Sequence, residues 1–129
     1  MKVTLLAGGT GGAKLAHGFQ MVLPPGELTV IVNVADDTER FGLLVCPDHD
    51  TVLYTLAGLA DRERGWGLAG ETWAAAGQLA RLGEPTWFQL GDRDLALHVH
   101  RTRRLRDGER LTTIALDVAT RLGLATSIL

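Results

Sequence analysis

Four glycines within five positions, residues 8–12, constrain this chain more than any other feature of its sequence. They follow an apolar run that predicts a buried strand over residues 2–7, and they precede apolar side chains at helical spacing over residues 13–22. Because glycine loses more backbone freedom on folding than any other residue, such a cluster is expected where the backbone turns sharply beside another group. A strand, a glycine turn and a helix start direct free N–H groups at a phosphate. The predicted phosphate-binding residues are Gly8, Gly9, Thr10, Gly11, Gly12 and Lys14.

This glycine loop departs from two well-known nucleotide motifs. No Gly-Lys-Ser/Thr follows at the Walker spacing, and Lys14 stands where the dinucleotide fingerprint requires a third small residue. The loop remains compatible with a generic contact to phosphate or pyrophosphate, to which Lys14 would add a point charge. The alternative is a tight strand-to-helix turn with a solvated lysine. An NAD-dependent oxidoreductase is disfavoured by the broken fingerprint.

The rest of the pattern predicts an α/β chain. An apolar, β-branched run over residues 28–34 indicates a second buried strand, which completes a right-handed βαβ unit. Further predicted elements are helices over 51–57 (with Asp50 as N-cap), 72–82, 92–104 and 109–122, strands over 86–90 and 125–129, and a short edge strand inside an otherwise irregular loop over 36–48. We expect an α/β fold with one core and a mostly parallel sheet.

Composition narrows the class of protein. The chain has 129 residues, and 46% of them are hydrophobic, which indicates a globular protein. Its net charge of -2 gives no general attraction to nucleic acid or anionic membranes. The N-terminal apolar run is too short for a signal peptide or a membrane span. Cys46 is the only cysteine, which excludes an internal disulfide and favours a reducing, cytoplasmic setting. We interpret it as a small buried hydrophobe.

Carboxylates gather after the second predicted strand. Asp36, Asp37, Glu39, Asp48 and Asp50 all follow it closely. Such groups repel one another unless a cation joins them, and Mg²⁺ with oxygen ligands could do so while bridging phosphates. We assign Asp48 and Asp50 to the metal and Asp36 and Asp37 to catalysis, although spacing leaves all four open to either role. The alternatives are that Asp50 is only a helix N-cap and that Asp37 is only a surface charge.

A third polar group, Gly91-Asp92-Arg93-Asp94, follows the predicted strand over 86–90 and opens a helix. Asp92 could serve only as the N-cap of that helix. His98 and Arg101 share one helix face, and nothing marks a metal-binding or triad histidine. The basic run over 101–106 favours a solvated helix face, with an anion site as the alternative.

Four segments, taken together, resemble one protein family. They are GGTGGAKLAHGF, NVADDTERFGLLVCPDHDTVLYTLAG, GWGLAGETW and WFQLGDRDLALHVHRTRRLRDG. In this order and spacing they closely resemble the 2-phospho-L-lactate transferase family, which is called phosphoenolpyruvate transferase in actinobacteria. Family members are well over twice as long, so this chain resembles their N-terminal part.

The resemblance implies a Rossmann-like, three-layer α/β fold with a mostly parallel sheet, of which residues 1–129 would form the N-terminal, incomplete part. It also implies a step in the synthesis of coenzyme F-420. A phospho-acid group would pass from a guanosine diphosphate-activated three-carbon acid to the deazaflavin Fo, with Mg²⁺ and with release of GMP. The glycine loop would face the phosphates of the nucleotide, and Asp50 and Gln89 would contact Fo. Many relatives carry lysine where this chain has Gln89. A truncated, non-catalytic nucleotide- or deazaflavin-binding module is the alternative.

Two further expectations concern the surface. Trp66 and Trp87 offer ring faces to a deazaflavin, although we expect core packing for each. An unfinished sheet edge would allow pairing into a homodimer.

Overall fold

A computed structural model describes all residues, 1–129. Ten helices and strands follow one another along the chain: β1 (Val3–Ala7), α1 (Thr10–Val22), β2 (Leu28–Val32), β3 (Thr38–Arg40), β4 (Leu43–Val45), α2 (Pro47–Leu56), α3 (Ala74–Arg81), α4 (Asp92–Arg106), α5 (Leu111–Arg121) and β5 (Ser127–Ile128). No helix is long and apolar enough to cross a membrane.

A parallel sheet with strand order β1-β2-β5 is the centre of the fold. Val3 lies opposite Leu28, and Thr29 lies opposite Ser127, with all strands pointing the same way. The chain moves across this sheet in one direction, so right-handed crossovers place the connecting helices on the same face. The predicted βαβ unit and the α/β, Rossmann-like class are confirmed.

The core lies between this sheet and its helices. Val30 and Ile128 from the sheet are fully buried against Leu53 of α2 and Ile114 of α5. The other face of the sheet is open, since Leu6 remains 77% exposed. Of the three expected layers, the described chain therefore carries two, the sheet and one helical layer.

The segment over residues 86–90 is not a strand, contrary to the sequence pattern. Its backbone is irregular, and no neighbouring strand pairs with it. The Trp87 ring is 69% exposed, and the Arg40 guanidinium lies 4.6 Å from its centre. Aromatic and β-branched residues favour a strand only where a sheet edge is within reach, and here none is.

Two helices begin earlier than their sequence pattern predicts. Helix α1 starts at Thr10, within the glycine cluster, instead of at residue 13. Helix α2 starts at Pro47, a residue whose fixed φ suits the first helical position. Asp50 consequently lies inside α2, and the prediction that it is the N-cap is wrong.

The segment over residues 36–48 is also more regular than expected. Strands β3 and β4 form an antiparallel hairpin that pairs Thr38 with Val45. Its turn is made by Phe41 and Gly42, which both have positive φ values, 52° and 72°. This hairpin connects β2 to α2 and contains the predicted edge strand.

The N-terminus of each of the helices α3 and α4 is capped by an acidic side chain that lies at the start of the other helix. The Asp92 carboxylate accepts hydrogen bonds from the backbone N–H groups of Ala74 and Ala75, at 3.0 and 2.9 Å. Glu71, just before α3, accepts from the N–H groups of Arg93 and Asp94 at 2.9 and 3.1 Å. The residue that flanks α4 is Gly91, which excludes the alternative that Asp92 serves only as the N-cap of its own helix.

Candidate functional site

The glycine loop contains two kinds of glycine. A Cβ at Gly12 would lie 2.8 Å from the Cβ of Ala7 and close to the Ala7 backbone, so the fold requires glycine there, whereas a Cβ at Gly9 would lie 2.9 Å from the Asp48 Oδ1 atom and would displace that side chain. A Cβ at Gly8 or Gly11 would meet no atom within 4 Å, and neither residue has a positive φ. Their lack of a side chain leaves open space beside the backbone, which suits a ligand that approaches closely.

The start of helix α1 faces the same space. Gly9 precedes the helix without a capping side chain, and the first helical bond runs from the Ala13 N–H to the Gly9 carbonyl. The N–H groups of Thr10, Gly11 and Gly12 donate to no protein acceptor. Free N–H groups and the positive end of the helix dipole favour an anion at this position.

Asp48, in the first turn of α2, lies beside this loop. Its Oδ2 atom accepts a hydrogen bond of 2.9 Å from Asn33, and its Oδ1 atom faces Gly9. The Asn33 backbone N–H donates in turn to the Ala7 carbonyl at 2.9 Å. Asn33 therefore joins the ends of β1 and β2 to α2 and fixes the carboxylate against the glycine loop. Asn33 was not predicted as a site residue, although its position at the end of a parallel strand was a usable signal.

Asp50 has a different environment. It is buried, and both of its carboxylate oxygens accept hydrogen bonds from the Arg101 guanidinium. Burial alone would raise the pKa of Asp50, but the His49 hydrogen bond and the Arg101 charge hold this pKa below its usual value. The ion pair joins α2 to α4 across the core.

More polar groups surround this ion pair. The His98 ring lies 3.7 Å from Asp50 and 3.4 Å from Asp94, and the Tyr54 hydroxyl donates to Asp94 at 2.5 Å. Burial raises the pKa of Tyr54, so this hydroxyl stays protonated. Asp50, Asp94 and His98 lie close enough to share a metal ion. The guanidinium already neutralises Asp50, however, and a dication beside it would be repelled.

The two predicted catalytic carboxylates lie at the end of β2. Asp36 is exposed and makes no hydrogen bond, whereas Asp37 borders a cavity of about 80 Å³ together with Cys46 and His49. Burial raises the pKa of Asp37. Burial also raises the pKa of the Cys46 thiol to about 12, which agrees with its interpretation as a small buried hydrophobe.

Gln89 lies apart from these carboxylates, in a second cavity of about 330 Å³. Aromatic rings from Phe41, Trp73 and Phe88 line this aromatic cavity. Gln89 is exposed and makes no hydrogen bond within the chain. Such a cavity suits a planar heterocycle, with the amide of Gln89 available to a polar edge.

Only part of the basic run on α4 is a solvated face, formed by the exposed Arg103 and Arg106. Arg101 is 3% exposed and pairs with Asp50, and Arg104 binds Glu109 and Asp117. The spacing of His98 and Arg101 on one helix face was the available signal for this buried cluster. The expectation of core packing for the tryptophans is also wrong, since Trp66 is 44% exposed.

These features define a class, an α/β protein with a glycine loop at the start of a helix and a nearby carboxylate at the carboxyl edge of a parallel sheet. The sequence model of the family described as 2-phospho-L-lactate transferase CofD matches residues 3–129. The chain belongs to this family, and the resemblance read from its motifs is confirmed.

Three proteins similar to this chain are named phosphoenolpyruvate transferase. One from Nocardia farcinica is 50% identical over 114 residues, which cover 88% of this chain and 34% of the relative. One from Mycobacterium ulcerans is 48% identical, with 94% of this chain and 40% of the relative covered. One from Mycobacterium tuberculosis is also 48% identical, with 88% and 39% covered. The chain thus spans between a third and two fifths of the length of these relatives.

Proposed function

We propose that this chain acts in the synthesis of coenzyme F-420, where it transfers a phosphoenolpyruvate group from a guanosine diphosphate-activated donor to the deazaflavin Fo and releases GMP. Family membership and the names of the relatives support the reaction class. The observation that carries the proposal is the open space at Gly8 and Gly11, directly beside the uncapped start of α1 and the Asp48 carboxylate.

The glycine loop would bind the phosphates of the donor. Three unpaired N–H groups, from Thr10 to Gly12, would donate to phosphate oxygens, and Lys14 would add a charge one turn along the helix. Transfer of this kind needs positioning and charge neutralisation more than covalent help. A rigid backbone site supplies both without reorganisation.

A Mg²⁺ ion fits Asp48 better than Asp50. Asp48 has an oxygen directed at the glycine loop, whereas both oxygens of Asp50 bind Arg101. Bound Mg²⁺ would neutralise part of the charge on the donor diphosphate. Asp36, exposed and without a partner, is the second ligand that we propose.

Asp37 is the residue that we propose to accept the proton of the ribityl hydroxyl of Fo. Burial raises its pKa, which makes its carboxylate a stronger base than an ordinary surface aspartate. Asp50 would act by fixing α2 against α4, which holds Asp48 in place. We retain direct contact of Asp50 with Fo as an alternative that requires Arg101 to release the carboxylate.

Fo itself would occupy the aromatic cavity. Its planar ring would pack against Phe88 and Trp73, with Gln89 at the rim. The printed names of the relatives favour phosphoenolpyruvate over 2-phospho-L-lactate as the transferred acid. A cytoplasmic location, and a homodimer formed through the outer edge of β1, remain predictions.

Mass spectrometry tests the reaction. The purified chain, incubated with Fo, the activated donor and Mg²⁺, should yield the phospho-acid adduct of Fo and an equal amount of GMP. An Asp37→Asn variant should yield far less of both, because it lacks the proton acceptor. Absence of product from the wild-type chain contradicts catalysis by this chain. If Fo fluorescence still shows saturable binding, the non-catalytic module is the better description.

A further inference from the structure

The turn of the β3–β4 hairpin contains the one residue of this chain, other than glycine, that has a positive φ. Arg40 pairs with Leu43, so Phe41 and Gly42 form a two-residue turn, with φ values of 52° and 72°. Hairpin turns of this length need a positive φ at both positions, which favours Asn, Asp or Gly at the first. A large side chain is rare in this region of backbone conformation, because its Cβ crowds the following carbonyl. Phe41 is therefore strained.

Contacts with α4 hold the hairpin in this conformation. The Arg106 side chain donates a hydrogen bond of 2.8 Å to the Gly42 carbonyl, directly after the strained residue. The Thr102 hydroxyl accepts a hydrogen bond of 2.8 Å from the Leu44 N–H. The backbone at Phe41 cannot relax into an ordinary conformation without movement of a turn that α4 fixes at both of these points.

The strained position keeps the Phe41 ring out of the core. The side chain remains 44% exposed, and it lines the aromatic cavity together with Trp73 and Phe88. These three rings come from three separate segments of the chain, and the Arg40 guanidinium, which lies 5.4 Å from the Phe88 ring centre, joins two of the segments. Core burial does not explain why a phenylalanine is kept in this turn. Strained residues of this kind cluster at ligand sites, where the surrounding structure maintains them.

We propose that Phe41 is a substrate-stacking residue, whose ring the hairpin turn fixes as one wall of the aromatic cavity for a planar heterocycle. A ring that is already held in place loses little freedom when the ligand binds, so the strain in the free protein is exchanged for affinity. The inference rests on the proposed function in that the heterocycle is Fo. It assigns to Phe41 an opposite effect on stability and on binding.

Melting temperatures of two variants test the strain. Phe41→Gly and Phe41→Ala both lack the ring, but only alanine places a Cβ in the left-handed region. Phe41→Gly should therefore melt about 4 °C above Phe41→Ala, the reverse of the usual order for these two residues. Gly123→Ala is the matched control for the conformation, since Gly123 has a φ of 80° and a Cβ there would meet no atom within 4 Å. It should melt below the wild type by a similar amount.

Titration followed by Fo fluorescence tests the stacking on the same proteins. Phe41→Gly and Phe41→Ala should each raise the Kd for Fo about tenfold, because both remove the stacking surface. Phe41→Tyr keeps a ring and should bind Fo like the wild type. Gly123→Ala should also bind like the wild type, although it melts at a lower temperature. If Phe41 had only a structural role, the Kd would instead follow the melting temperature across all four variants.

The outcomes separate this residue from the reaction. An unchanged Kd for Fo in both Phe41→Gly and Phe41→Ala overturns the stacking role and leaves the proposed function standing. A melting temperature of Phe41→Gly at or below that of Phe41→Ala overturns the strained turn. Weaker binding that Phe41→Tyr restores, together with no product from the wild type, supports the stacking role and contradicts the proposed function. No binding of Fo by the wild type overturns the stacking role.

Discussion

Two polar regions of this molecule meet at α2 and differ in one respect. In the buried cluster around Asp50, Arg101, His98 and Asp94, each charged group lies within 4 Å of an opposite charge or an imidazole. Around the glycine loop, N–H groups and a carboxylate oxygen face open space. Charges that are paired in the interior stabilise a fold, whereas N–H groups and a carboxylate oxygen that face open space can bind a ligand. Substitutions in the two regions should therefore separate stability from binding.

Removal of Arg101 should have the largest effect. Arg101→Met leaves the Asp50 carboxylate buried without its guanidinium partner, and this should lower the free energy of unfolding by about 3–5 kcal/mol. Urea unfolding followed by circular dichroism measures the loss. Arg103→Met on the same helix, in an exposed pair, should unfold like the wild type. A loss below about 1 kcal/mol for Arg101→Met would assign the cluster no structural role.

The same ion pair predicts the response to acid. The folded-state pKa of Asp50 lies below its unfolded value, so its stabilising contribution is fully present above the unfolded value, about 4. It is lost as the pH falls through the lower, folded-state pKa. The wild type should therefore lose stability more steeply below pH ~4 than a double variant Asp50→Asn/Arg101→Met. Parallel acid curves would contradict the assigned ion pair.

Asp48→Asn should affect binding with little change in stability. The amide keeps an oxygen to accept from Asn33 but loses the charge that we propose for Mg²⁺. Turnover should fall about a hundredfold, while the free energy of unfolding changes by less than about 1 kcal/mol. The test is to measure the activity of the variant across a Mg²⁺ titration and to record its unfolding curve. Wild-type turnover in this variant would exclude Asp48 from the site.

The glycines offer a matched comparison within one loop. Gly12→Ala should destabilise the protein by about 1–3 kcal/mol, because the new methyl group would press on Ala7. Gly11→Ala, one residue earlier, meets no protein atom and should leave stability unchanged or slightly higher. It should instead weaken GDP binding. Thermal unfolding should show the larger effect for Gly12→Ala, and calorimetry with GDP should show the larger effect for Gly11→Ala. If the same variant showed the larger effect in both assays, the comparison would be refuted.

The exchanged caps should give the smallest effect. Asp92→Ala should cost about 1 kcal/mol, because it leaves the first N–H groups of α3 without an acceptor. Glu71→Ala should cost a similar amount at α4. The double variant should lose less than the sum if the two caps support each other. Strict additivity in urea unfolding would show that the helices are capped independently.

Local patterns in the sequence predicted the features that are built locally. The β1–α1–β2 unit, the glycine loop and the helical character of α4 and α5 follow from hydrophobic spacing and turn residues within short windows. The buried pair of Asp50 and Arg101 joins residues 51 positions apart, and spacing along the chain carries no such information. The capping of α3 by Asp92 and of α4 by Glu71 could not be predicted for the same reason.

The prediction of a strand over residues 86–90 was wrong for a related reason. Its residue types fit a strand, but whether they pair depends on a neighbouring edge that only the tertiary structure supplies. For the site, the sequence identified the glycine loop and its carboxylates. Which aspartate is free and which is paired became visible only in three dimensions.

An amide NMR titration of the ¹⁵N-labelled chain with GDP and Mg²⁺ tests the central claim most directly, that the unpartnered groups of the glycine loop form a phosphate site. The account predicts saturable shifts, largest at the amides of Thr10, Gly11 and Gly12, with those of Asp50 and Arg101 nearly unmoved. Saturable binding that leaves the glycine-loop amides unshifted would contradict it.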